Sequence, residues 1–296
     1  MTTGITTGIR CNAKINLFLA VTGRRQDGFH DILTFFQPVS LFDELKLELT
    51  GGQIELVGDT PEIPWDERNL CFKAASEFIS ATGCDEGVRI TVSKNIPHGA
   101  GLGGGSSDAA GVLTGMNHLH GKPIGAKVLE EIALRIGSDV PFFVRGTPAA
   151  GRGRGEILEK AEGLPYGAIL IVKPDIPIST KTAYDNVRIL LTRDSHEDRL
   201  NHLLKQVKDF PDMTFETFNS FESYAVEQYP EIKEILEVFR REEPTLSLLS
   251  GSGSACFALF DSEDKAVEVE RLFMGQGYFT SIAKPVDWTL ELFQWN

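Results

Sequence analysis

The stretch Pro97-His98-Gly99-Ala100-Gly101-Leu102-Gly103-Gly104-Gly105-Ser106-Ser107-Asp108-Ala109-Ala110 has five glycines in its first nine residues and runs straight into a helical pattern. Apolar side chains recur on one helical face at Ala109, Val112, Leu113 and Met116. The residues suited to cap this helix are Ser106, Ser107 or Asp108 at its start and Gly121 after its end. A glycine loop at a helix N-terminus presents unpaired N–H groups and the positive end of the helix dipole, and both favour a bound anion.

Three interpretations compete for this glycine loop, defined here as Pro97 to Ser107. A flexible linker is disfavoured because linkers seldom run straight into a capped helix. A dinucleotide-binding motif is disfavoured because Ser93 to His98 separate the loop from the nearest strand-like segment, and because a second helix follows the first. The third interpretation is a nucleoside-triphosphate phosphate loop. It is not of the Walker A type, since the chain contains no Gly-Lys-Ser/Thr.

The composition narrows the class of protein. At 296 residues the chain has room for one large domain or two ordinary ones, and its net charge of −13 argues against general binding to nucleic acids or membrane surfaces. A polyphosphate ligand would therefore need a local basic site. Four cysteines without metal-ligand spacing indicate reduced thiols, so we expect a cytoplasmic protein. No apolar run reaches the ~20 residues of a membrane span, and residues 1–8 lack the pattern of a signal peptide.

Alternation of side-chain character from Ile9 to Val21 predicts a β-strand. The odd-numbered residues form its apolar face. The other face carries Lys14 and Asn16, which are two residues apart and therefore point the same way. Two interpretations stay open: the polar face of an edge strand, or two side chains that contact one ligand.

The remaining periodicity predicts an α/β protein. In the first half we expect strands within 32–49, 53–57 and 88–92 and helices at 69–82, 109–120 and 126–136. In the second half we expect strands at 166–172, 245–249, 255–260 and 278–285 and helices within 196–241 and 262–274. Strands separated by helices indicate an α+β layer packed on the first half. Residues 145–155 are rich in glycine and arginine, and we expect a domain junction shortly after them, with domains at 1–160 and 161–296.

Several motifs together resemble those of the GHMP kinases, the family of galactokinase, homoserine kinase and mevalonate kinase. The glycine loop is similar to the family's phosphate loop. The segments similar to one branch of the family are, in order, Asn12 to Leu19, Thr22 to His30, Lys94 to Pro97, Gly137 to Phe143 and Gly251 to Ala255. That branch phosphorylates 4-diphosphocytidyl-2-C-methyl-D-erythritol in the non-mevalonate pathway of isoprenoid precursor synthesis. Asn12 stands where the branch typically has proline, and Phe29 stands where it commonly has tyrosine.

The resemblance implies a fold and a reaction. The fold would have an N-terminal domain related to the second domain of ribosomal protein S5 and a ferredoxin-like C-terminal domain, with the site in the cleft. The reaction would be ATP-dependent phosphorylation of the substrate's 2-hydroxyl, with Mg²⁺, giving the 2-phosphate and ADP. Asp139 matches the family's catalytic aspartate, as base or as orienting group, and Lys14 would supply the cation. From the local pattern alone, Asp139 is more simply the N-cap of a short turn.

The resemblance also implies two sets of binding residues. The residues expected to bind ATP are Lys94, Asn95, Pro97, Gly99, Ala100, Gly101, Leu102, Gly103, Gly104, Gly105, Ser106 and Ser107. The residues expected to bind the acceptor are Asn16, Phe29, His30, Asp139, Thr180, Gly251 and Ser252. Phe29 would offer a ring on which cytosine stacks, and His30 would hydrogen-bond the base. Simpler interpretations stay open: a solvated charge for Lys94, a core position for Phe29, a surface position for His30 and a hairpin loop for 251–254.

The expected partner is therefore a small molecule with a cytidine diphosphate moiety, with no nucleic acid and no membrane. The expected oligomeric state is a monomer or a weak homodimer. No zinc site is expected, because His98 and the other histidines have no ligand partners nearby in the sequence. Two alternatives remain, namely another GHMP small-molecule kinase and a non-catalytic nucleotide- or RNA-binding protein, since the first domain's fold also occurs in a ribosomal protein.

Overall fold

Two β-sheets organise the computed structural model, which describes residues 6–187, 193–207 and 216–295. The strands are β1 (Thr6–Arg24), β2 (His30–Thr50), β3 (Glu55–Gly58), β4 (Gly87–Ser93), β5 (Ala149–Arg152), β6 (Ile157–Lys160), β7 (Ala168–Lys173), β8 (Phe218–Asn219), β9 (Leu246–Leu249), β10 (Cys256–Phe260), β11 (Phe279–Ala283) and β12 (Leu290–Phe293). The helices are α1 (Leu70–Thr82), α2 (Gly104–Leu119), α3 (Ala126–Ile136), α4 (Val140–Arg145), α5 (Thr180–Asn186), α6 (Arg193–Gln206), α7 (Glu222–Gln228), α8 (Pro230–Arg241) and α9 (Glu263–Glu270). No helix in these ranges is both long enough and apolar enough to cross a membrane.

The first sheet is built around the long antiparallel pair of β1 and β2. The strand order is β12-β1-β2-β4-β3, with β5 and β6 attached to β2 and β8 attached to β1. Among the described residues, strand β1 pairs opposite β2 only at residues 8–11 with β12 and at residues 18–19 with β8. The interpretation of its polar face as the solvated face of an edge strand is nevertheless wrong, because Lys14 and Asn16 are only 3% and 1% exposed.

The packing of β1 changes beside a register shift. The pairing with β2 shifts between Asn12 and Ala13, where residues 40 and 41 of β2 have no partner in β1, and such an irregularity bends the strand pair. Before the shift, Ile9 packs in the core beneath the helices of the first half. After it, Ile15 packs in the core shared with the second sheet. Lys14, which follows the shift, points instead to the glycine loop, as its contacts below show.

Helices α1 and α3 form where their periodicity predicts them. Asn69 caps α1 by accepting from the N–H of Cys71. The predicted start of α2 is wrong, because α2 begins at Gly104 after Gly103, whose φ of +75° suits glycine. The three predicted caps, Ser106 to Asp108, therefore lie inside the helix and none makes a capping hydrogen bond. Gly121 follows the helix end with a φ of +73°, as predicted.

The second sheet confirms the ferredoxin-like expectation. Its order is β11-β7-β10-β9, all antiparallel. Within this half of the chain these are the fourth, first, third and second strands, with α5 to α8 between the first two and α9 between the last two. One face of the sheet packs on β1 and β2, and the other packs on α7 to α9. The cleft between the two halves follows from this arrangement.

Four short strands have no counterpart in the sequence analysis. The β5–β6 hairpin occupies the segment interpreted as a junction, and β8 and β12 return from the second half to pair with β1. The division at residue 160 stays a prediction. The predicted helical segment 196–241 contains α7, α8 and most of α6, which begins at Arg193. Its expected break at Pro211 lies outside the described residues.

Candidate active site

A cavity of about 650 Å³ lies where the two halves of the chain meet. Its walls come from β1, the turn at 28–30, the glycine loop, Ser138–Asp139, α5 and the loop after β9. Eleven of the residues expected to bind ATP or the acceptor line it together with Lys14, namely Asn16, Phe29, His30, Gly99, Gly101, Gly103, Ser106, Asp139, Thr180, Gly251 and Ser252. Six separate segments of the sequence therefore converge on one cavity.

Lys14 lies at the centre of this convergence. Its Nζ donates to Asn16 Oδ1 at 2.6 Å and to the Gly101 carbonyl at 2.9 Å. Asn16 is itself fixed by donating to Thr34 Oγ1 at 2.8 Å. An ammonium has three donors, so two are held by these acceptors and the geometry leaves one for the cavity. Burial lowers the pKa of Lys14, and the charge of Asp139 opposes that shift.

Asp139 occupies the N-cap position of α4, as the local pattern predicts. Its backbone is helical, with φ −87° and ψ −16°, and its side chain makes no capping hydrogen bond. The carboxylate is therefore not engaged in capping the helix. In the described part of the chain Asp139 and Lys14 form no direct salt bridge, although their charges interact. Both residues line the same cavity.

The glycine loop is braced by its backbone. The N–H of Lys14 donates to the Leu102 carbonyl at 2.9 Å, and the N–H of Ala255 donates to the Ala100 carbonyl at 3.1 Å. Gly101 has a φ of +76°, and a Cβ there would overlap the Ser250 carbonyl oxygen. Only glycine permits both the left-handed backbone and this close approach. The loop is thus clamped between β1 and the loop after β9.

The loop after β9, here called the Gly251 loop (Ser250 to Gly253), closes over Lys14. A Cβ on Gly251 would lie 3.4 Å from Lys14 Nζ and 3.0 Å from the Gly101 carbonyl oxygen. Ser252 Oγ is 3.2 Å from Thr180 Oγ1, which ties the loop to the start of α5. The loop therefore supplies the wall of the cavity opposite β1.

Aromatic and basic side chains line the far end of the cavity. Phe29 is 50% exposed, and the Arg154 guanidinium lies over its ring at 4.6 Å. His30 stacks on Tyr184 with ring centroids 4.9 Å apart. Burial, aided by the charge of Arg24, lowers the pKa of His30. The lowered pKa favours the neutral imidazole, which offers one donor and one acceptor. The core interpretation of Phe29 is wrong.

Two family models match this chain. The GHMP kinase N-terminal domain model matches residues 69–147, and the GHMP kinase C-terminal model matches residues 202–273. The 4-diphosphocytidyl-2-C-methyl-D-erythritol kinase of Geobacter sulfurreducens is 35% identical over 279 residues, which are 94% of this chain and 98% of that protein. The enzyme of the same name from Clostridioides difficile is 37% identical over 88% of each chain. This chain belongs to the 4-diphosphocytidyl-2-C-methyl-D-erythritol kinase family of the GHMP kinases.

Solved structures agree with this assignment. A crystal structure of 4-(cytidine 5'-diphospho)-2C-methyl-D-erythritol kinase matches with a TM-score of 0.78 and 33% identity, over 94% of this chain and 98% of that one. Homoserine kinase from Cytophaga hutchinsonii matches with a TM-score of 0.79 over 99% of each chain, at 16% identity. The second match shows the shared fold. Membership of the GHMP kinases implies that this kinase uses ATP as its phosphoryl donor.

The ammonium of Lys94 is paired inside the protein. Its Nζ forms ion pairs with Asp43 Oδ2 and, at 2.7 Å, with Asp108 Oδ2, and its side chain is 7% exposed. The interpretation as a solvated charge is therefore wrong. Burial alone would lower the pKa of Lys94, but Asp108 and Asp43 raise it. Asp43 Oδ1 accepts hydrogen bonds from the backbone N–H groups of Asn95 and Ile96. We call Lys94, Asp43 and Asp108 the buried charge triad.

A second cavity of about 430 Å³ begins beside the triad. Lys94, Asn95 and Pro97 line it with His98 and with strand β11. Three of the residues expected to bind ATP thus border a separate space next to the start of the glycine loop. The Asn95 side-chain amide donates to the Phe42 carbonyl at 2.9 Å.

Five residues expected to bind ATP line neither cavity, namely Ala100, Leu102, Gly104, Gly105 and Ser107. Ala100 and Leu102 bury their side chains and contribute the backbone braces described above. Ser107 is fully buried and donates its hydroxyl to the Asn12 carbonyl at 2.8 Å. Ser106, one residue earlier, is the serine that lines the large cavity.

The side chains of the cavity that the sequence analysis missed include Tyr184, Arg24 and Arg154. Tyr184 lies in α5 without a motif around it, Arg24 lies in the motif segment 22–30 without an assigned role, and Arg154 lies in the segment interpreted as a domain junction. The contact of Arg154 with Phe29 joins residues far apart in the chain. The clustering of arginines in residues 145–155 was the one available signal.

Proposed function

We propose that this kinase transfers the γ-phosphoryl group of ATP to the 2-hydroxyl of 4-diphosphocytidyl-2-C-methyl-D-erythritol, giving the 2-phosphate and ADP. The observation that carries the proposal is the placement of Lys14 and Asp139 on one cavity, between the glycine loop and the Gly251 loop. Membership of the kinase family supports it. The expected pathway is the non-mevalonate synthesis of isoprenoid precursors.

The proposed chemistry divides the work between these two side chains. Asp139 orients the 2-hydroxyl and accepts its proton as the new oxygen–phosphorus bond forms and the bond to ADP breaks. Phosphoryl transfer passes through a loose transition state, so positioning and charge stabilisation matter more than full deprotonation. The third donor of Lys14 stabilises charge on the transferred group. Asn16 and the Gly101 carbonyl hold that ammonium in place.

ATP would lie along the glycine loop, with its phosphates at the N-terminus of α2. Backbone N–H groups and the helix dipole favour an anion there. The adenine would occupy the cavity beside Asn95 and Pro97. Lys94 would act through its backbone and through the buried charge triad, because both carboxylates already engage its ammonium.

Mg²⁺ belongs to the same proposal. The described residues include no cluster of three His, Cys, Asp or Glu side chains able to enclose a metal ion. Magnesium commonly binds through one or two protein oxygens together with substrate phosphates. Asp139 and the Ser106 hydroxyl line the cavity and provide such oxygens, so the donor set fits. The bound ion would neutralise charge on the β- and γ-phosphate oxygens.

The cytidine diphosphate end of the acceptor would lie among Phe29, His30, Tyr184 and Arg154. Phe29 and Tyr184 offer rings for stacking, and the uncharged His30 offers a hydrogen bond to the base. Arg154, whose guanidinium lies over the Phe29 ring, would provide a cation for the diphosphate. We also propose the division into domains at 1–160 and 161–296, a cytoplasmic location, and a monomer or weak homodimer.

A coupled assay of ADP release tests the proposal. We expect turnover with the cytidine diphosphate substrate and little with mevalonate, homoserine or galactose. Turnover of one of those three instead would favour the alternative of another GHMP kinase, and ATP binding without ADP release would favour a non-catalytic binder.

Substitution of the reacting pair sharpens the test. Asp139→Asn keeps the side chain's shape, and we expect kcat to fall by roughly 10²–10⁴-fold if it assists proton transfer. Lys14→Met should cost a similar factor. Because both act on one transition state, the double variant should lose less than the product of the single losses. Fully multiplicative losses would contradict a shared reaction centre.

A further inference from the structure

We propose that Asn219 is a positioning residue, which holds the Gly251 loop over Lys14 and so sets the acceptor side of the site. This inference rests on the proposed function. Asn219 lies in β8, outside every motif identified in the sequence, and it does not line the cavity. It acts on the site only through the backbone that it holds.

The side chain of Asn219 is a two-point backbone clamp. Its Nδ2 donates to the Leu249 carbonyl at 2.7 Å and to the Gly251 carbonyl at 2.8 Å, while its Oδ1 accepts from the N–H of Phe221 at 2.9 Å. Both amide donors are therefore used, and the residue is 6% exposed. The two carbonyls belong to the last residue of β9 and to the Gly251 loop. The amide thus fixes the direction in which the chain leaves the strand.

The clamp is anchored to the strand that carries Lys14. In β8, Asn219 pairs with Leu19 of β1. The next residue, Ser220, donates its N–H to the Leu19 carbonyl at 2.8 Å and accepts at Oγ from the N–H of Val21 at 2.9 Å. Asn219 therefore bridges the first sheet to a loop of the second half. No other side chain among the described residues donates to the Gly251 carbonyl.

Small movements of this loop would reach the reacting groups. Gly251 lies so close to Lys14 that an added Cβ would be 3.4 Å from Nζ. Ser252 meets Thr180 at 3.2 Å on the acceptor side of the cavity. Effective transfer depends on near-attack geometry, and a displacement of about 1 Å can cost on the order of 10²-fold in rate. Loosening the clamp should therefore impair the acceptor more than ATP.

Asn219→Asp is the variant that opens the clamp with the least change in shape. It removes both donors and places a carboxylate oxygen opposite two carbonyl oxygens. We expect kcat to fall by roughly 10–100-fold and KM for the acceptor to rise, while KM for ATP changes less than either. Burial among carbonyls raises the pKa of a carboxylate, and its protonated form regains one donor. The deficit relative to wild type should therefore shrink as pH is lowered from 8 to 6.

Asn117→Asp is the matched control. Asn117, near the end of α2, also bridges backbone groups, because its Nδ2 donates to the Ile124 carbonyl at 3.0 Å and its Oδ1 accepts from the N–H of Ile124 at 3.1 Å. It is 9% exposed and lines neither cavity. The control should lose stability and keep its kinetic constants when assayed well below its unfolding midpoint.

The experiment compares steady-state constants of the wild type, both variants and Asn219→Ala, which removes the donors without adding a charge. Absence of wild-type turnover would overturn the proposed function and not the role of Asn219. With an active wild type, a folded Asn219→Asp or Asn219→Ala protein with unchanged acceptor KM and kcat would overturn this inference. Equal kinetic losses in Asn117→Asp would also overturn it, since they would show a general effect of destabilisation.

Discussion

Replacing Lys94 by methionine separates the two roles that this residue could have. If its ammonium borders adenine, as the sequence suggests, the change should raise KM for ATP and leave stability almost intact. In the structure the ammonium is the cation of the buried charge triad, with side-chain exposures of 7% for Lys94, 0% for Asp43 and 5% for Asp108. Methionine keeps the apolar stem of the side chain and removes the ammonium that pairs with Asp43 and Asp108.

The size of the expected effect follows from this burial. Removing one partner of a buried pair costs about 3–5 kcal/mol, because the remaining charge is neither solvated nor compensated. Two features of the triad set the response. Asp108 can take up a proton, which limits the loss, whereas Asp43 also holds the N–H groups of Asn95 and Ile96 at 2.6 and 2.8 Å. A disturbed Asp43 would therefore loosen the start of the glycine loop.

Chemical and thermal unfolding of Lys94→Met provide the measurement. We expect a loss of about 3–5 kcal/mol in the free energy of unfolding, which lowers the midpoint by roughly 2–4 °C per kcal/mol for a chain of about this size. Lys46→Met is the control. Lys46 is 33% exposed with its Nζ 3.9 Å from Glu48, and such a pair contributes at most about 1 kcal/mol. Wild-type stability of Lys94→Met, together with a raised KM for ATP, would refute the structural argument.

Three further changes test other parts of the site. Gly101→Ala drives a methyl group into the Ser250 carbonyl, so we expect at least a ~10-fold loss of activity. The control Gly83→Ala has similar backbone strain but open space around the new methyl group, and it should cost only about 1–2 kcal/mol of stability. Equal activity in the two variants would contradict the clamped loop. His30→Ala should raise KM for the cytidine substrate and reduce the enzyme's discrimination against the uridine analogue, with KM for ATP unchanged. Unaltered discrimination would contradict the assignment of His30 to the base. Burial raises the pKa of Asp108 to about 8, so the folded state keeps a proton that the unfolded state loses. That contribution to stability is complete below the ordinary carboxyl pKa and is lost as pH rises through about 8. In urea unfolding, the stability of Asp108→Asn relative to wild type should therefore increase as pH rises from 5 to 8.5. A stability difference that does not change with pH would contradict this argument.

Local periodicity was enough to predict the main strands and helices. Helix α3 spans the predicted residues, and the alternation around Lys14 marks the middle of β1. Strands β5, β6 and β12 were missed because each is only four residues long, and β5 and β12 also gain their order from partners far away in the sequence. Cys11, for example, pairs with Leu290. No window of sequence contains that information.

The same dependence on distant residues explains why the ion pairs of Lys94 were not predicted. Its neighbours along the chain place it beside the glycine loop, which the structure confirms. Asp43 lies 51 residues before it and Asp108 lies 14 residues after it. Only the pairing of β2 with β4, and the packing of α2 against that sheet, bring both carboxylates to the ammonium. A lysine near a phosphate loop was therefore interpreted as ligand-facing although its charge is neutralised inside the protein.

The charge distribution joins the acidic composition to the proposed ligand. A net charge of −13 repels polyphosphates in general, so a kinase of this composition needs a local reversal of sign. The large cavity supplies it, because four cationic residues line it (Lys14, Arg24, Arg154 and Lys181) against two carboxylates, Asp139 and Asp185. A cleft lined by one sign of charge focuses its field and raises the local concentration of an anionic ligand. The same field helps to keep His30 uncharged, since Arg24 lowers its pKa. One basic cluster would thereby attract the diphosphate and leave the imidazole able to read the base.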